Sequence, residues 1–153
     1  MEEKKQNNKL WITIILISIV IIGLCLGLLL GRKISNSSFD NAVSNIKTAI
    51  KESYPGCNAI EVSGHTVNIR VWTDGIMNVA KAAYEGDQAQ IKNWNIVKDQ
   101  VYLLAEQIYG KFILVDDAVV YLRYVNDQNP DRDLLVYKNK ELVYDVVNES
   151  KGD

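Results

Sequence analysis

The sequence predicts an α+β domain carried behind a single transmembrane helix. Two observations predict it. Leu10–Gly31 is an apolar run without a charged residue. Beyond it, apolar residues recur first at helical and then at alternating spacings, in the order α-β-β-α-α-β-β-β. That order implies a mostly antiparallel sheet of about five strands with helices on one face.

The apolar run is long enough to cross a bilayer, because about 20 helical residues span a hydrocarbon core of roughly 30 Å. Trp11 stands at its start, where an amphipathic ring suits the membrane interface, and Lys9 and Arg32-Lys33 bracket it. A cleaved signal peptide fits less well. The run exceeds a normal signal core, and no A-x-A-like site follows. Leu24 directly precedes Cys25, where a lipoprotein signal requires a small residue. The basic flanks are nearly balanced, but so short a tail before the span favours an uncleaved signal-anchor with the tail inside. The expected organisation is a cytoplasmic tail over 1–9, a transmembrane helix over 10–31 and a linker over 32–38. An extracytoplasmic α+β domain over 39–148 and a tail over 149–153 complete it.

Gly23, Gly27 and Gly31 repeat at intervals of four, so they share one helix face. Such a groove lets two backbones approach closely and is a candidate surface for self-association in the membrane.

The domain elements follow in order. Phe39, Val43, Ile46, Ile50 and Tyr54 mark one face of a helix capped by Ser37 or Ser38 and ended by Pro55-Gly56. Ala59–Ser63 and Thr66–Trp72 alternate as two strands joined at Gly64-His65. Thr73 or Asp74 is positioned to cap a second helix reaching about Glu85. The stripe Ile91, Trp94, Val97, Val101, Leu104 and Ile108 predicts a long helix over Gln88–Tyr109, with Gly110 as its C′ residue. Ala118–Val125 is rich in β-branched and aromatic residues and reads as a strand. Asn126–Asp133 reads as a polar loop, and Leu134–Lys138 with Glu141–Val147 as a hairpin turning at Asn139-Lys140.

Composition narrows the chemistry. Five of the 17 Lys and Arg and two of the 19 Asp and Glu precede Ile34, leaving 12 against 17, so the domain carries about −5. Without a basic stripe, phosphate neutralisation is weak and nucleic-acid binding is disfavoured. Of the two cysteines only Cys57 belongs to the domain, which excludes an internal disulfide. His65, the one histidine, stands a full strand length from Cys57, too far for a thiol–imidazole pair. There is no Gly-rich phosphate loop and no G-x-S-x-G elbow, and no cofactor is implied.

Three constellations remain. Asp127, Asn129, Asp131 and Asp133 alternate like the opening ligands of a calcium loop and form the one candidate metal set. Arg132 takes the place of the required glycine, Lys138 that of the bidentate Glu, and Pro130 stiffens the middle, so turn formation is the favoured role. Asp116-Asp117 and Glu61 are available as paired carboxylates, but no spacing singles them out. Arg70 and Trp72 alternate away from the apolar side of one strand, as Tyr121 and Arg123 do in another. A sheet face bearing Tyr, Trp and Arg has the composition of an interface hot spot.

The segment Asn126-Asp127-Gln128-Asn129-Pro130-Asp131, then Leu134-Leu135 and Val143-Tyr144-Asp145-Val146-Val147-Asn148, resembles the ending of a group of small bacterial proteins, mostly from Gram-positive anaerobes. Val71-Trp72-Thr73-Asp74-Gly75, with Trp94, is similar to their middle region. The resemblance covers about the last half of the chain; it implies bacterial origin and no activity.

The expectation from sequence is therefore a non-catalytic, membrane-anchored extracytoplasmic interaction module. Its expected partners are the lipid bilayer, an unidentified protein and, through the glycine groove, a second copy. Two other readings stand beside it: a membrane-tethered envelope hydrolase using paired carboxylates, and a subunit of an envelope export or conjugation complex.

Overall fold

A computed structural model describes residues 39–149. The Leu10–Gly31 run, its Gly23, Gly27 and Gly31, and the linker lie outside the described residues. Among the described residues no helix is long and apolar enough to cross a membrane.

The first helix, α1 (Phe39–Ser53), buries Ala42, Val43, Ile46, Ala49 and Ile50 along the predicted stripe. The chain then forms the hairpin of β1 (Asn58–Ser63) and β2 (Thr66–Val71), antiparallel from Asn58↔Val71 to Ser63↔Thr66. Two helices follow, α2 (Ile76–Tyr84) and α3 (Gln88–Tyr109). Asp87 caps α3, its carboxylate accepting from the amides of Ala89 at 2.9 Å and Gln90 at 3.1 Å. β3 (Val119–Asn126), β4 (Asn129–Lys138) and β5 (Glu141–Asp145) complete a sheet ordered β1-β2-β3-β4-β5, and α4 (Val146–Glu149) ends the described chain.

The sheet is mostly antiparallel, as expected, with one exception. β2 and β3 are parallel, Thr66 opposite Val119 and Val71 opposite Tyr124. The α2–α3 excursion makes this possible, because parallel neighbours need a long crossover.

One side of the sheet supplies Val67, Ile69, Val71, Val120, Leu122, Tyr124, Leu135 and Tyr137 to the core. They meet the buried residues of α1, α2 and α3, among them Ile46, Ile76, Trp94 and Ile108. Val125 and Val136 are also buried but fall outside that cluster. Val136 pairs with Arg123 and so belongs to the second face.

Four sequence expectations need correction. Asn126–Asp133 is not a loop. β3 and β4 continue through it as a hairpin turning at Asp127-Gln128, with register shifts on either side of Val125. The Asn126 side chain closes the turn by accepting from the Gln128 amide at 2.8 Å, so the Asn and Asp content marks a tight turn and a bulge.

The last strand stops at Asp145, not Val147. The Asp145 carboxylate accepts from the Val147 amide at 3.0 Å and starts a helical turn in place of further ladder. Neither Thr73 nor Asp74 caps α2. Gly75 takes that position with φ 81°, a left-handed conformation that suits glycine. Finally, Gly110 is right-handed, φ −54°, and the chain leaves α3 through further turns without a left-handed C′ residue.

Candidate functional site

The second face of the sheet holds the residues that alternation had set apart from the core. The parallel register puts Arg70 beside Arg123 and Asn68 beside Tyr121. Arg70 is forked between two carboxylates, Glu61 at 2.7 Å and Asp131 at 2.9 Å. Arg123 is paired with Asp133. These residues, with Asn68 and Pro130, line a polar groove of about 360 Å³.

Tyr121 lies at the edge of this cluster. The Arg123 guanidinium is 5.5 Å from its ring centroid and the Lys138 ammonium 5.9 Å, within cation–π range. Trp72 follows β2 on the same alternation as Arg70 and is half-buried. Its amide donates to the Cys57 carbonyl at 3.2 Å, extending the β1–β2 ladder by one residue.

The structure thus gathers Arg70, Tyr121 and Arg123 into one patch, with Trp72 farther along the same face. Two contributors escaped the sequence reading. Asn68 was legible from the period-two alternation that places Arg70. Lys138 was not, because its position over Tyr121 depends on the Tyr121↔Lys138 register.

The candidate calcium residues are distributed differently from a metal loop. Asp127 accepts from the amides of Gly75 at 2.8 Å and Met77 at 3.2 Å, capping α2 from across the molecule. Asp131 and Asp133 are engaged by Arg70 and Arg123. Asn129 accepts from the Asp131 amide at 3.3 Å within its own turn. Among the described residues no group of three or more His, Cys, Asp or Glu is placed to hold a metal ion.

His65 and Cys57 stand at opposite ends of β1, as expected. The His65 ring lies 5.0 Å from that of Phe39 in a tilted contact, and the Cys57 thiol is pushed up in pKa by burial and by the nearby charge of Asp74.

A separate buried cluster gathers much of the motif residues quoted above. Asp145, 4 % exposed, accepts from the Trp94 indole at 2.9 Å and the Asn148 amide group at 2.7 Å, and pairs with Lys98 at 3.2 Å. Thr73 meets the Tyr124 hydroxyl, and Asp127 holds Gly75. Trp94 with Asp145 and Gly75 with Asp127 thus join the middle motif to the final one, whereas Thr73 bonds Tyr124, which lies in neither.

No family model, curated protein or solved structure matches the chain.

Proposed function

We propose that residues 39–149 form a non-catalytic interaction module held at the outer side of a bacterial membrane by the Leu10–Gly31 span, and that the second sheet face is its docking surface. One observation carries the reading. Arg70 and Arg123 lie side by side on a sheet face that contributes nothing to the helical core, with Trp72 and Tyr121 on the same face. Side chains of these types dominate binding energy when an interface desolvates them.

Arg70 is presented rather than locked, while Arg123 is held in place by Asp133. Glu61 is 64 % exposed and Asp131 88 % exposed, so their ion pairs with Arg70 are solvated and individually weak. An incoming carboxylate can take their place at little cost, and a guanidinium receives it through two parallel hydrogen bonds. The fitting partner is a protein segment with acidic and apolar side chains. Tethering supports this mode of action, because confinement near a partner raises the effective concentration of a weak site.

The test is photocrosslinking from Tyr121 in native membranes, with Lys92 on exposed helix surface as the control position. Specific adducts from Tyr121 that disappear in Arg70→Ala/Arg123→Ala support the proposal. Identical adduct patterns from the two positions overturn it.

A further inference from the structure

The end of the domain that follows the linker carries an apolar prominence. Lys111–Asp117 leaves α3 in successive turns, with the Phe112 amide donating to Tyr109 at 2.8 Å and the Val115 amide to Phe112 at 2.8 Å. Ile113 and Leu114 are therefore the central residues of a closed turn. They are 69 % and 76 % exposed, the highest values among the exposed large hydrophobic residues described. Turn centres ordinarily take Gly, Asn, Asp, Pro or Ser. Two adjacent large aliphatics there break the local rule, and such breaks concentrate at functional positions.

The turn is rigidly placed beside the chain's point of attachment. Phe112 is buried, and its ring lies 5.6 Å from that of Phe39, the first described residue. Phe39 also meets His65 at 5.0 Å, and the His65 carbonyl accepts from the Val119 amide at 2.9 Å. The start of α1, the β1–β2 turn, the start of β3 and the Ile113-Leu114 turn thus share one end of the molecule. Eight peptide steps separate Gly31 from Phe39, a reach of at most about 28 Å.

We infer that Ile113 and Leu114 insert into the bilayer interface, seating the domain on the membrane in a fixed orientation. The inference rests on the reading of Leu10–Gly31 as a span. The apolar ends enter the headgroup boundary, where their burial is favourable, while Phe112 holds the turn to the core. Lys111 precedes the turn and Asp116 and Asp117 follow it, so no net positive charge borders it; the contact is apolar rather than cationic and works equally well on neutral lipid. Seated in this way, the Asp127-Gln128 turn points outward, some 23 Å of strand beyond Val119. The second sheet face then stands upright and accessible from the side.

The full chain is reconstituted in phosphatidylcholine vesicles after Cys25→Ala and Cys57→Ala. A nitroxide is placed singly at Leu24→Cys, Leu114→Cys or Gln128→Cys, and collision with oxygen and with an aqueous nickel chelate is measured. The expected oxygen-to-chelate ratio at Leu114 exceeds that at Gln128 by about threefold or more, and added phosphatidylglycerol leaves it unchanged. Equal ratios at Leu114 and Gln128, with a lipid-like ratio at Leu24, overturn the seat while the span stands; the turn is then a contact for another protein. A ratio that rises only with phosphatidylglycerol overturns the apolar contact in favour of an electrostatic one. A water-like ratio at Leu24 overturns the span and the seat together.

Discussion

Asp145 shows what a single buried carboxylate does in a domain without a disulfide. It joins the end of β5 to α3 through Trp94 and Lys98 and starts α4 through the Val147 amide. Asp145→Ala strands a buried indole N–H, an amide and a half-buried ammonium. A loss of about 3–5 kcal/mol is expected in urea unfolding, because the remaining charge has no partner. Trp94→Phe removes one donor and costs less, about 1–3 kcal/mol. Arg70→Ala belongs at the opposite extreme. Its partners are solvated, so stability changes by under about 1 kcal/mol, while partner capture falls at least tenfold if Arg70 is a hot spot. At Cys57 the raised pKa leaves less thiolate near neutrality. In the Cys25→Ala chain, disulfide-exchange labelling at pH 8 should be slower than for free cysteine and should accelerate at higher pH; faster labelling would contradict the burial.

At the scale of elements, the telling case is the partnership between the β3–β4 turn and α2. Asp127 supplies the cap that Gly75 lacks. Asp127→Ala should therefore cost about 1–2 kcal/mol and raise hydrogen exchange in the first turn of α2, about 50 residues away in sequence. Exchange changes confined to the β3–β4 turn would show that the cap is dispensable. This partnership also marks the limit of what the sequence reveals. The stripes of α1 and α3 and the alternation of β2 are local periods, and the structure reproduces them, whereas β1 does not alternate in burial and leaves Val62 exposed. Asn126–Asp133 reads as a loop because turn-forming residues signal a break but not its length. Whether they close a two-residue turn or fill a loop depends on the register of β4 against β3. Val146 and Val147 favour strand by propensity, yet Asp145 turns them into a helix. Half of the candidate site was legible in the same way. Alternation sets Arg70 and Arg123 apart from the core, but only the parallel pairing makes them neighbours.

For the whole molecule, pH and topology both have measurable consequences. Tyr54, Tyr124 and Tyr137 are pushed up in pKa mainly by burial, Tyr137 to about 12. Each is raised above its unfolded value of about 10. The stability they lend is fully present below that pH and is lost as pH rises through their folded values. Urea midpoints should be unaffected by these groups below about pH 10 and fall above it; a flat profile to pH 12 would show that the three hydroxyls reach water in the native state. The proposed outward placement predicts that protease added to intact cells digests residues 39–153, and full protection would refute it. Gly27→Ile should weaken self-association of the span if the glycines form a groove.

The parallel pairing of β2 with β3 reaches further, into how the chain is made. Its partners are separated by the whole of α2 and α3. A ribosome adding roughly 5–20 residues per second takes several seconds to deliver β3 after β2. During that interval the nascent hairpin presents β2 as an unpaired edge with Val67, Ile69 and Val71 uncovered. Such an edge is a template for any other strand, including β3 of a neighbouring chain. The hazardous species is thus a half-made molecule, and synthesis that keeps successive copies apart would protect this protein more than any added stability of the finished fold.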